Sequence, residues 1–396
     1  MDWKIFSTLF LSIFLSMLGQ GIVVPLLPGY AHSLGATGLT IGFIFGAFSI
    51  SRTIVLPYFG NLSDKKGRKP FIALGLLFYS LVSVGYVVSS GIIALVVIRF
   101  LQGIASAMIL PVAQAYIGEI TPLNKEGSMM GLLNISLYAG LSAGPLIGGI
   151  VNDLFSIEIS FIIMGILCMT GFLVSLIFLP PVRNEQTRDH EKKKIPRRTL
   201  LKDKNIVGFF TFRVTHALCI GAFWTFTPLL AHTELNLSGL EIGTVITMSV
   251  LVSALLMAPM GILADTMNRR YLIVTGGTAI TISMFFISQL HCTWQLYASA
   301  LLIGIGGGVS MPAILAMSVT MGKDKSAMGF IMSILTMGHS LGMLTGPVIT
   351  GLLMDLVDFH TAFLGISIIM TVVTISTFFL TADKKVLIAG KSPDLQ

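Results

Sequence analysis

Twelve stretches of predominantly apolar residues, parted by short polar or Gly/Pro breaks, constrain this chain more than any other feature. They lie near 5–29, 38–60, 70–89, 92–118, 127–152, 159–180, 206–231, 238–263, 271–290, 293–320, 327–354 and 360–381. Each reaches the roughly 20 residues that a helix needs to cross about 30 Å of hydrocarbon. A 396-residue chain that is 54% hydrophobic and only 11% charged, with a mean hydropathy of +0.89, has too little polar surface to dissolve as a globule. The first stretch, preceded by Lys4, could be read as a signal peptide. It continues instead through Pro25 and Pro28 without a small-residue cleavage site, and further spans follow. The fold expected is an all-α integral membrane protein of twelve transmembrane helices.

Short loops rich in Lys and Arg stay cytoplasmic. The even-numbered gaps between spans hold Lys65, Lys66, Arg68 and Lys69, then Lys125, then nine basic residues from Arg183 to Lys204, then Arg269 and Arg270, then Lys323 and Lys325; the odd gaps hold none. With Lys4, Lys384, Lys385 and Lys391, 22 of the 25 basic residues, all but Arg52, Arg99 and Arg213, fall on one side. Both termini are therefore expected in the cytoplasm. This distribution also accounts for a pI of about 9.3 without nucleic acid, which would need a basic soluble surface. Cys168, Cys219 and Cys292 show no metal-ligand or disulfide spacing and read as small packing residues; no metal or cofactor is expected.

The chain repeats itself. "LGATGLTIG" at 34–42 returns as "LNLSGLEIG" at 235–243, and "GNLSD" at 60–64 as "GILAD" at 261–265, both shifted by 201 residues; "GPLIGGIVND" at 144–153 meets "GPVITGLLMD" at 346–355 at a shift of 202. Two pseudo-symmetric six-helix halves follow, 1–181 and 206–396, joined by a charged cytoplasmic linker at 182–205 and ending in a short cytoplasmic tail. Parallel halves of this kind are a transporter architecture, with the substrate near the bilayer midplane.

Residues 60–70, "GNLSDKKGRKP", place five charges in eleven positions between spans 2 and 3. Gly60, Leu62, Asp64, Lys65, Gly67, Arg68 and Lys69 strongly resemble the signature of the major facilitator superfamily, and "GILADTMNRR" with Asp265 is its weaker copy. "LVVIRFLQGIASA" (95–107), with Arg99, Gln102 and Gly103, resembles the family's fourth-span motif. "GLSAGPLIGG" (140–149) resembles its antiporter-associated fifth-span motif, and "LGQGIVVPLLP" (18–28) its first-span exporter motif. The resemblance is to the twelve-span drug:proton antiporter branch. It implies that Asp64 caps a helix of the opposite half as a breakable cytoplasmic latch, with Arg68 able to pair with Glu119. Gly144, Gly148, Gly149 and Pro145 form a small-residue face with a bend, repeated at Gly346 and Pro347, and read as packing and bending at the interface between halves.

Ionisable groups inside spans are costly and so mark function. Here they are Arg52, Arg99, Arg213, His216 and His339. Ser12, Ser16 and Gln20 in span 1 and Asn134, Tyr138 and Ser142 in span 5 recur every four residues, along one helix face. The family fold lines its cavity with spans 1, 4, 7 and 10, which adds Gln114. Each polar residue also has a plainer reading as an interhelical hydrogen bonder, and Arg213 as one that snorkels to the interface. No Asp or Glu lies well inside a span, Glu119 coming closest, whereas exporters of lipophilic cations often carry one. Buried Arg and His without an acid favour anionic or neutral amphipathic substrates. The expected function is proton-coupled export of such small organic molecules by a monomer in the cell membrane, driven by the proton gradient. The alternatives are an uptake carrier of the same fold and, from another class, a membrane receptor or enzyme, for which neither clustered catalytic groups nor an extramembrane domain is visible.

Overall fold

The computed structural model describes residues 3–121, 126–180, 203–324 and 328–381. These residues form twelve helices: α1 (Trp3–Ser33), α2 (Gly38–Lys66), α3 (Lys69–Val88), α4 (Ile92–Ile120), α5 (Glu126–Leu154), α6 (Ile157–Phe178), α7 (Lys204–Thr233), α8 (Gly239–Thr266), α9 (Arg269–Ser288), α10 (Thr293–Asp324), α11 (Met328–Leu356) and α12 (Phe359–Leu380). Eleven of them are long and apolar enough to cross a membrane; the twelfth, α11, is 29 residues long and carries Gly338, His339, Ser340 and Thr345 in its middle. Helices are the form such segments take, because hydrocarbon offers no partner for a free backbone N–H or C=O.

The charged segment between spans 2 and 3 is largely helix. α2 runs on through Asp64 to Lys66, and only Gly67 and Arg68 turn the chain before α3. Nothing between Pro57 and Gly67 breaks a helix, so it stops where Gly67 takes a φ of 88°, a left-handed conformation that glycine adopts without Cβ strain. Pro70 then occupies the first turn of α3, where a missing N–H costs nothing.

Two compact units divide the described residues. The first lies within Met1–Arg188, Trp224–Leu251 and Pro347–Asp355; in it α1 packs on α5 and α6, α2 on α4, and α3 on α4 and α6. The second lies within Asp189–Phe223, Val252–Gly346 and Leu356–Gln396; in it α9 packs on α10 and α12, the counterpart of α3 on α4 and α6. The first unit thus takes in the ends of α7, α8 and α11 that lead to the odd-numbered loops.

The repeat recurs in the packing. A Cβ built on Gly140 would lie 2.7 Å from the Phe14 carbonyl oxygen, and one on Gly144 2.7 Å from that of Leu18. In the second unit a Cβ on Gly342 or Gly346 would collide with the carbonyl oxygens of Val214 and Leu218. Glycine faces on α5 and α11 therefore seat α1 and α7 at backbone contact, where dispersion replaces the hydrophobic drive that lipid cannot supply. This corrects where Gly144 and Gly148 pack: they lie against α1 of their own half, at Gly21 and Ile22, while Gly149 and the Pro145 carbonyl meet α8, at Gly239 and Gly243.

Candidate functional site

The polar core of the first unit is built on α1 to α4. Arg99, 3% exposed, donates from Nη1 to Gln102 Oε1 at 2.8 Å. The same oxygen accepts from the Tyr86 hydroxyl at 2.8 Å, which sets the orientation of the Gln102 amide. The Arg99 guanidinium lies over the rings of both Phe45 and Phe48, 4.7 Å from each centroid. α2 comes this close because Gly103 has no side chain: a Cβ there would collide with Ser51 Oγ and the Phe48 carbonyl. Tyr79, also fully buried, donates to Gln20 Oε1 at 3.2 Å and lies within electrostatic reach of both Arg52 and Arg99.

What this cluster leaves over has one sign. Arg52 Nε, Arg99 Nε and Gln102 Nε2 are buried without a hydrogen-bond partner among the described residues, and all three are N–H donors. Every carboxylate with a described side chain sits in a loop or in the first or last turn of a helix: Asp153, Glu158, Asp203, Glu234, Glu241, Asp265, Asp355 and Asp358. The cluster is thus cationic, donor-rich and short of acceptors, a combination that costs several kcal/mol if left unmet.

A second buried cluster lies in the other unit. His216, 2% exposed, stacks near Phe212 at a centroid distance of 6.3 Å, and both of its ring nitrogens lack a partner among the described residues. Its Nε2 faces Gly307 of α10, where a Cβ would lie 3.5 Å away, with Ser253 of α8 on the same side. One turn earlier Arg213, half-buried, donates to the Met311 sulfur at 2.6 Å. Leu18 and Leu218 meet equivalent glycines, which makes Ser16 and His216 equivalent positions of the repeat; Ser16 Oγ is likewise buried without a partner.

The remaining expectations scatter. Ser12 is occupied by Ser175 Oγ of α6 at 2.8 Å, an interhelical bond. In α5, Asn134 is exposed, Tyr138 half-buried and Ser142 buried. Gln114 in α4 and His339 in α11 are half-buried. Asp265 pairs loosely with Arg269 at 3.9 Å. Arg68 is buried and donates to Ser63 Oγ at 2.7 Å; with Gly60, Asn61, Pro57 and Pro111 they line a cavity of about 300 Å³ between α2 and α4. The side chains of Asp64 and Glu119, and with them the latch and the Arg68–Glu119 pair, lie outside the described residues, as does the linker over 181–202. The prolines of the GP motifs turn their carbonyls to glycines of other helices, Pro145 to Gly243 and Pro347 to Gly42. Sequence reasoning missed Tyr79 and Tyr86; with Ser80 and Ser83 they form a buried polar stripe on α3, at the i, i+1, i+4, i+7 positions that share one helix face.

Comparison with known proteins adds the lineage. The family model described as Major Facilitator Superfamily matches residues 9–238 and 213–393. An uncharacterized MFS-type transporter of Methanocaldococcus jannaschii is 30% identical over 378 residues, 93% of this chain and 96% of the relative. Multidrug resistance protein 2 of Bacillus subtilis is 26% identical over 382 residues, 93% of each chain. The solved structure of a bacterial homolog of the human lysosomal transporter Spinster superposes with a TM-score of 0.81 at 14% identity, covering 96% of this chain and 97% of its own, which shows the shared fold. Since one family model accounts for both sequence repeats and the relatives match from end to end, the chain belongs to the major facilitator superfamily, and is a multi-pass membrane transporter and not an enzyme.

Proposed function

We propose that this transporter exports small organic molecules, anionic or neutral and amphipathic, in exchange for protons by alternating access in the cell membrane. The observation that carries the substrate class is the donor excess around Arg99: three buried N–H groups without an acceptor among the described residues and no described carboxylate near mid-span to neutralise Arg52 and Arg99. A carboxylate or other acceptor-rich group on the substrate would supply what the cluster lacks, through charge-assisted hydrogen bonds. Likeness to a multidrug resistance protein favours export. The moving bodies are the halves 1–181 and 206–396, joined by the 182–205 linker, with the linker and both termini cytoplasmic as the loop charges argue. The protein acts as a monomer. With no acid in mid-span, proton coupling falls to His339, His216 or Glu119.

Counterflow in proteoliposomes against a panel of organic anions, neutral amphiphiles and cations, with and without an imposed pH gradient, tests the proposal. Anions and neutral compounds are expected to exchange and, with a gradient, to accumulate. Exchange of cations alone would overturn the substrate class, and accumulation indifferent to the gradient would overturn the coupling.

A further inference from the structure

Two aspartates that belong to no signature motif make the same unusual contact at opposite places in the repeat. Asp153, at the end of α5, accepts from the backbone N–H of Gly239 at 2.8 Å through Oδ1 and from that of Leu240 at 2.7 Å through Oδ2. Asp355, at the end of α11, accepts from Gly38 N at 2.7 Å through Oδ1 and from Leu39 N at 2.8 Å through Oδ2. Each carboxylate caps the first turn of another helix, α8 in one case and α2 in the other. It satisfies two of the N–H groups that a helix start leaves open and sets a negative charge at the positive end of the helix dipole.

The surrounding backbone is shaped for these two caps. Gly239 and Gly38 stand at the first helical position, where a Cβ would come within 2.6 Å of Asp153 Oδ1 and 2.9 Å of Asp355 Oδ1 respectively. One turn before each aspartate, Gly149 and Gly351 bring α5 and α11 against the carbonyls of Gly239 and Gly38, too close for any side chain. One turn further in, Gly243 and Gly42 meet the Pro145 and Pro347 carbonyls in the same way. A cap that only stabilised its own helix would come from the preceding loop, as Asp358 does for α12. Here α2 and α8 already have such local caps, Thr37 Oγ1 accepting from Thr40 N at 3.4 Å and Ser238 Oγ from Glu241 N at 3.3 Å, and the aspartates add a second capping group from a helix of the other sequence repeat.

The geometry points to Asp153 and Asp355 as gating residues, a matched pair of clasps that close the face bearing the odd-numbered loops. α5 with α8, and α11 with α2, each join one half of the repeat to the other. A transporter that exposes its site alternately to both sides must part these helices at this face in half of its cycle. The caps break then, and the freed N–H groups pass to water. Their strength therefore sets how much of the population stands open at this face, independently of which substrate or ion is carried.

The test uses the full-length protein in nanodiscs, with Cys292, the exposed native cysteine, replaced by Ser. Spin labels at Ser90→Cys and Glu234→Cys, both on exposed residues of odd-numbered loops, report opening as a second, longer distance by pulsed electron resonance. Asp153→Ala with Asp355→Ala removes both capping carboxylates. The longer-distance population should rise about fivefold per clasp, the factor that a helix N-cap of ordinary strength corresponds to. An unchanged distribution in the double variant overturns the gating role, and a lower unfolding temperature with an unchanged distribution overturns it in favour of purely structural caps. Should the double variant not be recovered as a monodisperse protein, each single variant carries the same test with a rise of about fivefold.

Discussion

Gly144 lies so close to Gly21 that a Cβ built on Gly144 would come within 2.6 Å of the Gly21 Cα, and one built on Gly21 within 3.0 Å of the Gly144 Cα. Backbone meets backbone here, so there is no flexible side chain to give way. Gly144→Ala should destabilise the transporter by about 1–3 kcal/mol through overpacking, read as a lower unfolding temperature in detergent. Gly131→Ala, in the same helix but with nothing within 4 Å of its Cβ, is the control: it should be neutral or slightly stabilising, since alanine favours helix over glycine by about 1 kcal/mol. Equal behaviour of the two variants would refute the contact.

Gln102 accepts from both Arg99 and Tyr86, so losing it strands two donors. Gln102→Leu should cost about 1.5–3 kcal/mol, the range for hydrogen bonds to charged groups, and Tyr86→Phe only about 0.5–1.5 kcal/mol. Chemical or thermal unfolding of the purified variants checks the order. Tyr86→Phe proving the more damaging would show that Gln102 is not the acceptor that holds Arg99.

Arg99 is held by ring faces as well as by a hydrogen bond to Gln102, and lysine reproduces neither the planar stack nor the several fixed donors of a guanidinium. If the donor cluster binds the acidic group of a substrate, Arg99→Lys and Arg52→Gln should each weaken binding of an organic anion by about tenfold, roughly the worth of one charge-assisted hydrogen bond. A neutral amphiphile should bind nearly as before. Titration of both ligands against parent and variants separates the cases, and equal losses for both would argue for a structural role.

His339→Gln should leave exchange of substrate between two pools intact while abolishing accumulation driven by a pH gradient. Glutamine can hydrogen-bond but cannot carry a proton near neutral pH. Accumulation equal to that of the parent would move coupling to His216 or Glu119. For His216, buried beside Gly307, the same pair of assays on His216→Gln gives the answer.

Topology has a direct readout in intact cells. An impermeant thiol reagent added outside should label Ser90→Cys and spare Lys194→Cys in the linker, both in a Cys292→Ser background. Equal labelling of the two would reverse or scramble the assignment made from loop charge.

Hydropathy, the repeat at shifts of 201 and 202, and the motif residues determined the membrane class, the helix count and the family without any coordinates. Each rests on chain-local physics: apolar length against bilayer thickness, charge against translocation, and glycine and proline where the backbone must approach or bend. Packing partners do not follow from such rules. Gly144 and Gly149 sit in one motif five residues apart, yet one meets α1 and the other α8, because a helix turns 100° per residue and only the tertiary arrangement says what stands on each side. Likewise Arg99 was legible as a costly charge. Gln102 stands three residues on along α4 and shares its motif, but the Phe45 and Phe48 rings of α2 and the Tyr86 hydroxyl of α3 that complete the cluster are revealed by no spacing along α4. In the sequence Asp153 and Asp355 only end the matching segments 144–153 and 346–355. Only the fold brings them to the starts of α8 and α2, where their carboxylates meet the backbone N–H groups of Gly239, Leu240, Gly38 and Leu39.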